Sequence, residues 1–156
     1  MAMRFVIFSL SLLIFIDASD FKTFVAFTNN CTESVQITRR TDPVQLIHLL
    51  KPGISFIHSI SSIEYNTFTA GADGLTEAVF VGRRFRPLRY GISVARGFDV
   101  GMQILPINTF SDKVRQPLTC TNATCAESND GVPQTNMTEE DKLASNFEIT
   151  FCPESE

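Results

Sequence analysis

Guanidinium groups are the densest chemical resource of this chain. Arg83, Arg84, Arg86, Arg89 and Arg96 fall within fourteen residues, although the formal charge of the whole is -4. A planar guanidinium presents paired donors that match a carboxylate edge to edge, so such a cluster suits an anionic ligand. The plainer use of the same residues is a charged strand edge that discourages aggregation. A second candidate, Gly91-x-Ser93-x-Ala95, has the spacing of a serine nucleophile elbow. That device needs a strand, a sharp turn and then a helix. Ser93 lies within a strand pattern, and the two histidines, His48 and His58, have no evident place beside it, so no triad is expected. The histidines also lack metal-ligand spacing and nearby cysteines, and no glycine loop suited to phosphate occurs; no metal and no cofactor are expected.

Three Asn-x-Thr sequons begin at Asn30, Asn122 and Asn136. In an exported eukaryotic chain each is a candidate glycan site on exposed backbone. Asn122 and Asn136 lie in a polar stretch and are the expected sites. At Asn30, bridging of the neighbouring Cys31 would hinder occupancy.

The elements that must position these groups read as strands. Tyr90, Ile92 and Val94 alternate with Gly91, Ser93 and Ala95, the period of a strand with one buried face. Arg96-Gly97 supplies a turn, after which Phe98, Val100, Met102 and Ile104 resume the apolar rhythm. Phe21, Thr23, Val25 and Phe27 define a first strand, and Val35 and Ile37 point inward from a second over Ser34 to Thr38. Val44 to Leu50 fits helix or strand by periodicity, but its shortness, Pro43 before it and Lys51-Pro52-Gly53 after it favour strand. Further strands are predicted at Ile54 to Ile60, Glu64 to Ala70, Thr76 to Val81 and Phe147 to Phe151, with Gly71-Ala72-Asp73-Gly74 as a hairpin connection. Short strands every 8 to 12 residues or so, without a long helical pattern, argue an all-β sandwich. Cys120 to Asn146 stands apart as a polar, exposed loop, with at most a helical turn at Thr138 to Leu143.

The compartment is set at the N-terminus. Arg4 precedes a predominantly apolar run, Phe5 to Ile16, and Ala18 or Ser19 is small enough for cleavage, so residues 1–18 read as a secretory signal and 19–156 as one domain. The run falls short of the about 20 apolar residues a bilayer span needs, so no membrane attachment is expected after cleavage. The protein is expected to be secreted, extracellular and monomeric, and its acidic balance gives nucleic-acid binding no support. Four cysteines follow the signal, as suits an oxidising compartment, and three pairings are open on arithmetic alone.

The central segment, Tyr-x-Ile-Ser-Val-x-x-Gly-Phe-x-Val-x-Met from Tyr90 to Met102, preceded by Thr76-Glu77-Ala78-Val79-Phe80, resembles that of thaumatin-like proteins. Phe27-Thr28-Asn29-Asn30-Cys31 resembles the opening strand of that family, and Phe147 to Pro153 its closing strand ending Phe-Cys-Pro. The resemblance covers residues 21–125 loosely and 147–153. It implies a disulfide-tied, antiparallel thaumatin-like β-sandwich that lacks the family's second, cysteine-rich lobe. It also implies a Cys31–Cys152 bond, to which the chain-entropy model assigns roughly 5 kcal/mol for so long a loop. Cys120 and Cys125 are then left to pair locally.

The family's glucan cleft is implied to hold an arginine, a glutamate and three aspartates. Glu77 matches the glutamate, Gly91 and Arg96 replace two aspartates, the third belongs to the missing lobe, and Ser61 to Gly74 offers no arginine. One carboxylate cannot serve as both acid and base in glycoside hydrolysis. The expected function is therefore a secreted, non-catalytic binding protein, carbohydrate-binding or defence-related, whose cleft has reversed sign. Its ligand surface is expected at Glu77, Arg83, Arg84, Arg86, Arg89 and Arg96, facing β-1,3-glucan or an anionic glycan. The alternatives are a degenerate β-1,3-glucanase using Glu77, and a secreted effector that binds a partner protein.

Overall fold

The computed structural model describes residues 22–83, 86–107, 117–125 and 146–154, with the backbone alone for Arg86 and Pro87. The expected signal, Arg84, the sequon at Asn136 and the helical turn at 138–143 lie outside the described residues. Within them the chain forms β1 (Lys22–Asn29), β2 (Val35–Arg39), β3 (Gln45–Leu50), β4 (Ser55–Ser61), β5 (Tyr65–Ala70), β6 (Glu77–Arg83), β7 (Arg86–Ser93), β8 (Met102–Ile107), β9 (Leu118–Cys120) and β10 (Asn146–Phe151). Each predicted strand appears to within a few residues, including the ambiguous one before Lys51-Pro52-Gly53. The three-residue β9 has too few positions to show a period and was not predicted.

Two five-stranded sheets pack face to face, ordered β4-β1-β10-β8-β9 and β3-β2-β5-β6-β7. All pairings are antiparallel except β1 with β10, which run parallel, with Asn29 opposite Phe151. The expected antiparallel sandwich is thus observed, with this one parallel pair within it. Parallel pairing brings the two strand ends together, so the residues just beyond them, Cys31 and Cys152, form the disulfide the resemblance implied. Cys120 and Cys125 are also bonded to each other.

Alternation explains the core. Val25 and Phe27 of β1, Ile37 of β2, Phe68 of β5, Phe80 of β6, Ile92 of β7, Ile104 of β8 and Phe147 of β10 are all inward and buried. Phenylalanine supplies the bulk that tryptophan would otherwise give. Phe27 meets Phe68 edge-on at 5.2 Å, Phe80 meets Phe147 at 5.1 Å, and Tyr90 meets Phe147 at 4.9 Å, so ring contacts join the two sheets. Such offset and edge-on pairs add about 0.5–1.5 kcal/mol each beyond the area they bury.

Candidate functional site

Glu77 opens β6. Because Ala78 and Phe80 face the core, Glu77 and Val79 face the opposite side of their sheet. Strand register fixes its neighbours. Thr38 lies opposite Thr69, Thr69 opposite Glu77, and Glu77 opposite Ser93, a polar row across four strands. The hydroxyls of Thr38 and Thr69 are 2.7 Å apart, and each donates to the Gly71 carbonyl at 2.7 Å.

The two residues before Glu77 are clipped to the corner between β7 and β8. Asp99 accepts from the amides of Leu75 and Thr76 at 3.0 and 2.8 Å, while the buried Thr76 hydroxyl accepts from the Asp99 amide at 3.3 Å. Gly97 closes the turn, donating to the Val94 carbonyl at 2.9 Å with φ at +120°. A side chain is strained in that conformation, and an added Cβ would stand 3.0 Å from Leu75. The corner therefore presents Arg96 to Glu77. Arg96 Nη1 stands 3.6 Å from Glu77 Oε1. From the other side, Arg40 Nη1 donates to the same oxygen. Arg40 directly follows β2, where its amide donates to the Thr67 carbonyl at 2.9 Å.

The result is one buried carboxylate held between a half-buried and an exposed guanidinium. The local formal charge is positive, and donors on both arginines remain beyond those on Oε1. Arg40 is the residue that sequence reasoning missed. The resemblance places an arginine within Ser61 to Gly74, whereas the partner comes from the end of β2, and its one trace in the sequence is the Arg39-Arg40 pair before Thr41-Asp42-Pro43.

The other sequence candidates are dispersed. Arg83 pairs with Arg86 at the opposite end of the β6–β7 hairpin, six residues along from Glu77. At about 3.3 Å per residue this is roughly 20 Å away. Arg89 lies between, half-buried and opposite Val81. Among the described residues the cluster is thus compact in sequence and extended in space, with only Arg96 of its members at Glu77. Ser93 is buried on β7, its hydroxyl accepting from the Ala95 amide at 3.3 Å. His48 and His58 lie on β3 and β4, at the edge of the sandwich away from β7, where the His48 ring stacks on Phe56 at 4.2 Å. No serine–histidine pair forms there. Asn30 and Asn122 are exposed, and the Asn122 side-chain Oδ1 accepts from the Thr124 amide and hydroxyl at 2.9 Å.

Two packed five-stranded sheets, a bond joining the parallel first and last strands, and a glutamate at the start of β6 facing the β7–β8 corner define a thaumatin-like fold. Solved structures agree. The thaumatin-like xylanase inhibitor TLXI superposes with a TM-score of 0.55 at 19% identity, over 83% of this chain and 99% of that one. The protein elicitor MoHrip2 from Magnaporthe oryzae does so with a TM-score of 0.54 at 14% identity, over 84% and 99%. Neither neighbour has a lobe left unmatched. No protein-family model and no curated protein matches the sequence.

Proposed function

We propose that this chain is a secreted, non-catalytic binding protein with a role in defence, taking an anionic partner, such as an acidic polysaccharide, at the face built from Arg40, Glu77 and Arg96. The observation that carries this reading is the occupation of Glu77. Glycoside hydrolysis needs one carboxyl to donate a proton and a second to act as base or nucleophile. Here the carboxylate at the family's glutamate position is ion-paired on both sides, and the carboxylate across the corner, Asp99, uses both oxygens as acceptors for main-chain amides. Two guanidinium groups sharing one carboxylate leave further donors on this face that suit a uronate or another planar anion. Arg89 and Arg83, spaced along the adjoining hairpin, extend this surface in the direction a polymer would run.

Retention of the mature chain on insoluble acidic polysaccharide and on β-1,3-glucan, at low and moderate salt, tests the proposal. Exposed charge contacts are screened by salt, so retention on the acidic polymer should fall as salt rises and should weaken in Arg40→Ser and Arg96→Ser. Salt-independent retention on β-1,3-glucan would refute it.

A second reading draws on the structural neighbour named as a xylanase inhibitor. The partner would then be a carbohydrate-active enzyme, engaged by the same face through an acidic surface. Retention on neither polymer, together with inhibition of a xylanase by the mature chain, would favour it.

A further inference from the structure

The sandwich has four edge strands, β4 and β9 in one sheet and β3 and β7 in the other. An unpaired edge is a template for another strand, and proteins usually blunt it by shortness, proline, charge or a bulge. Three of the four edges are blunted in these ways. β9 is three residues long. β7 carries Pro87, Arg86 and Arg89. β3 breaks register with β2 between His48 and Leu46, leaving Ile47 without a partner. β4 has no such device. Its sequence, Ser55 to Ser61, contains no charge, proline or glycine, and it pairs with β1 residue for residue at every position. Among the described residues no strand pairs with its other edge; β3 reaches it only through side chains, with His48 stacked on Phe56.

We infer that the free edge of β4 pairs antiparallel with β4 of a second copy of this chain, joining the two β4-edged sheets into one continuous sheet across a two-fold axis. Centred on Ile57, this register sets Ile57 against Ile57 of the second copy, Phe56 against His58, and Ser55 against Ser59. Ile57 is 66% exposed, and Phe24, on the neighbouring strand opposite Ser59, is 49% exposed; both face away from the core and would continue an apolar strip across the axis. A second copy fits better than an unrelated strand because a two-fold pairing opposes each residue with its own set. A strand without charge then sets no like charges against each other. A single edge pair buries less than an obligate interface, so the dimer is reversible and concentration-dependent. This departs from the monomer expected from the sequence.

Sedimentation of the mature chain over a range of concentrations tests the inference. The wild-type mass should climb from one chain toward two. Ile57→Lys and Ile57→Glu should each weaken dimerisation at least about tenfold by opposing like charges, while an equimolar mixture of the two variants should dimerise again. Circular dichroism checks that the variants fold, and Ser55→Lys/Ser59→Lys, two outward-facing residues that this register sets against each other, provides the same readout should either fail. A one-chain mass for the wild type at all concentrations would overturn the inference and leave the edge to an extended segment of another protein. A dimer unaffected by Ile57→Lys would overturn it equally.

Discussion

Glu77 shows how one carboxylate can be engaged by positive charge from two sides. It opens β6, Arg96 approaches it from the β7–β8 corner, and Arg40 closes on the other side. That Gly91 and Arg96 are not acidic was legible in the sequence because it rests on residue identity alone. The ion pair with Arg40 was not, because 37 residues separate the partners and only the register of β2, β5 and β6 brings them together. His58 yields a prediction at the same scale. Burial, and secondarily the Arg39 charge, lower its pKa below the ordinary 6.5. Folding thus favours the neutral ring. The stability this contributes is complete above 6.5 and is lost as pH falls from there through the folded-state value. Thermal midpoints recorded from neutral to mildly acidic pH should decline, with a shallower decline in His58→Gln; equal slopes would remove His58 as the cause. Asn122 is the second case. Its side chain already bonds the Thr124 amide and hydroxyl on an exposed turn, and Asn122→Gln should reduce, by one glycan, a glycosidase-sensitive mobility shift in protein expressed in a eukaryotic host.

At the scale of elements, period-two alternation located the strands because each has a buried face, and turn residues marked their limits. What alternation cannot encode is which strand lies beside which. The parallel β1–β10 pair joins segments from the two ends of the chain, and no local pattern distinguishes it from an antiparallel one. The connections carry the more testable features. Asp99→Ala would leave the Leu75 and Thr76 amides without their acceptor and release the corner that holds Arg96. A loss of about 1–3 kcal/mol in urea unfolding is expected, together with weaker retention on anionic polymer; unchanged stability would deny the clip its role. Gly82 is set by packing alone. Its amide donates to the Glu64 carbonyl at 2.9 Å, and a Cβ there would fall 2.3 Å from the Ser62 carbonyl oxygen. Gly82→Ala should therefore destabilise by about 1–3 kcal/mol through backbone displacement.

For the molecule as a whole, the first and last strands close the fold, and the Cys31–Cys152 bond spans 121 residues. Constraining so large a loop in the unfolded chain is worth about 5 kcal/mol in the entropy model. A Cys31→Ala/Cys152→Ala chain should unfold at markedly lower denaturant, whereas Cys120→Ala/Cys125→Ala, which opens a separation of only 5 residues, should shift the midpoint less. The thaumatin-like sandwich closed in this way carries a face on which Glu77 is ion-paired by two arginines, and the proposal is that this face binds without cutting. The most direct test incubates the mature chain with β-1,3-glucan and with a soluble acidic polysaccharide, following bound polymer and new reducing ends together. Binding of the acidic polymer that weakens with salt and with Arg40→Ser/Arg96→Ser, with no reducing ends released from either polymer, is the predicted result. Reducing ends released from β-1,3-glucan by the wild type and lost in Glu77→Gln would contradict it.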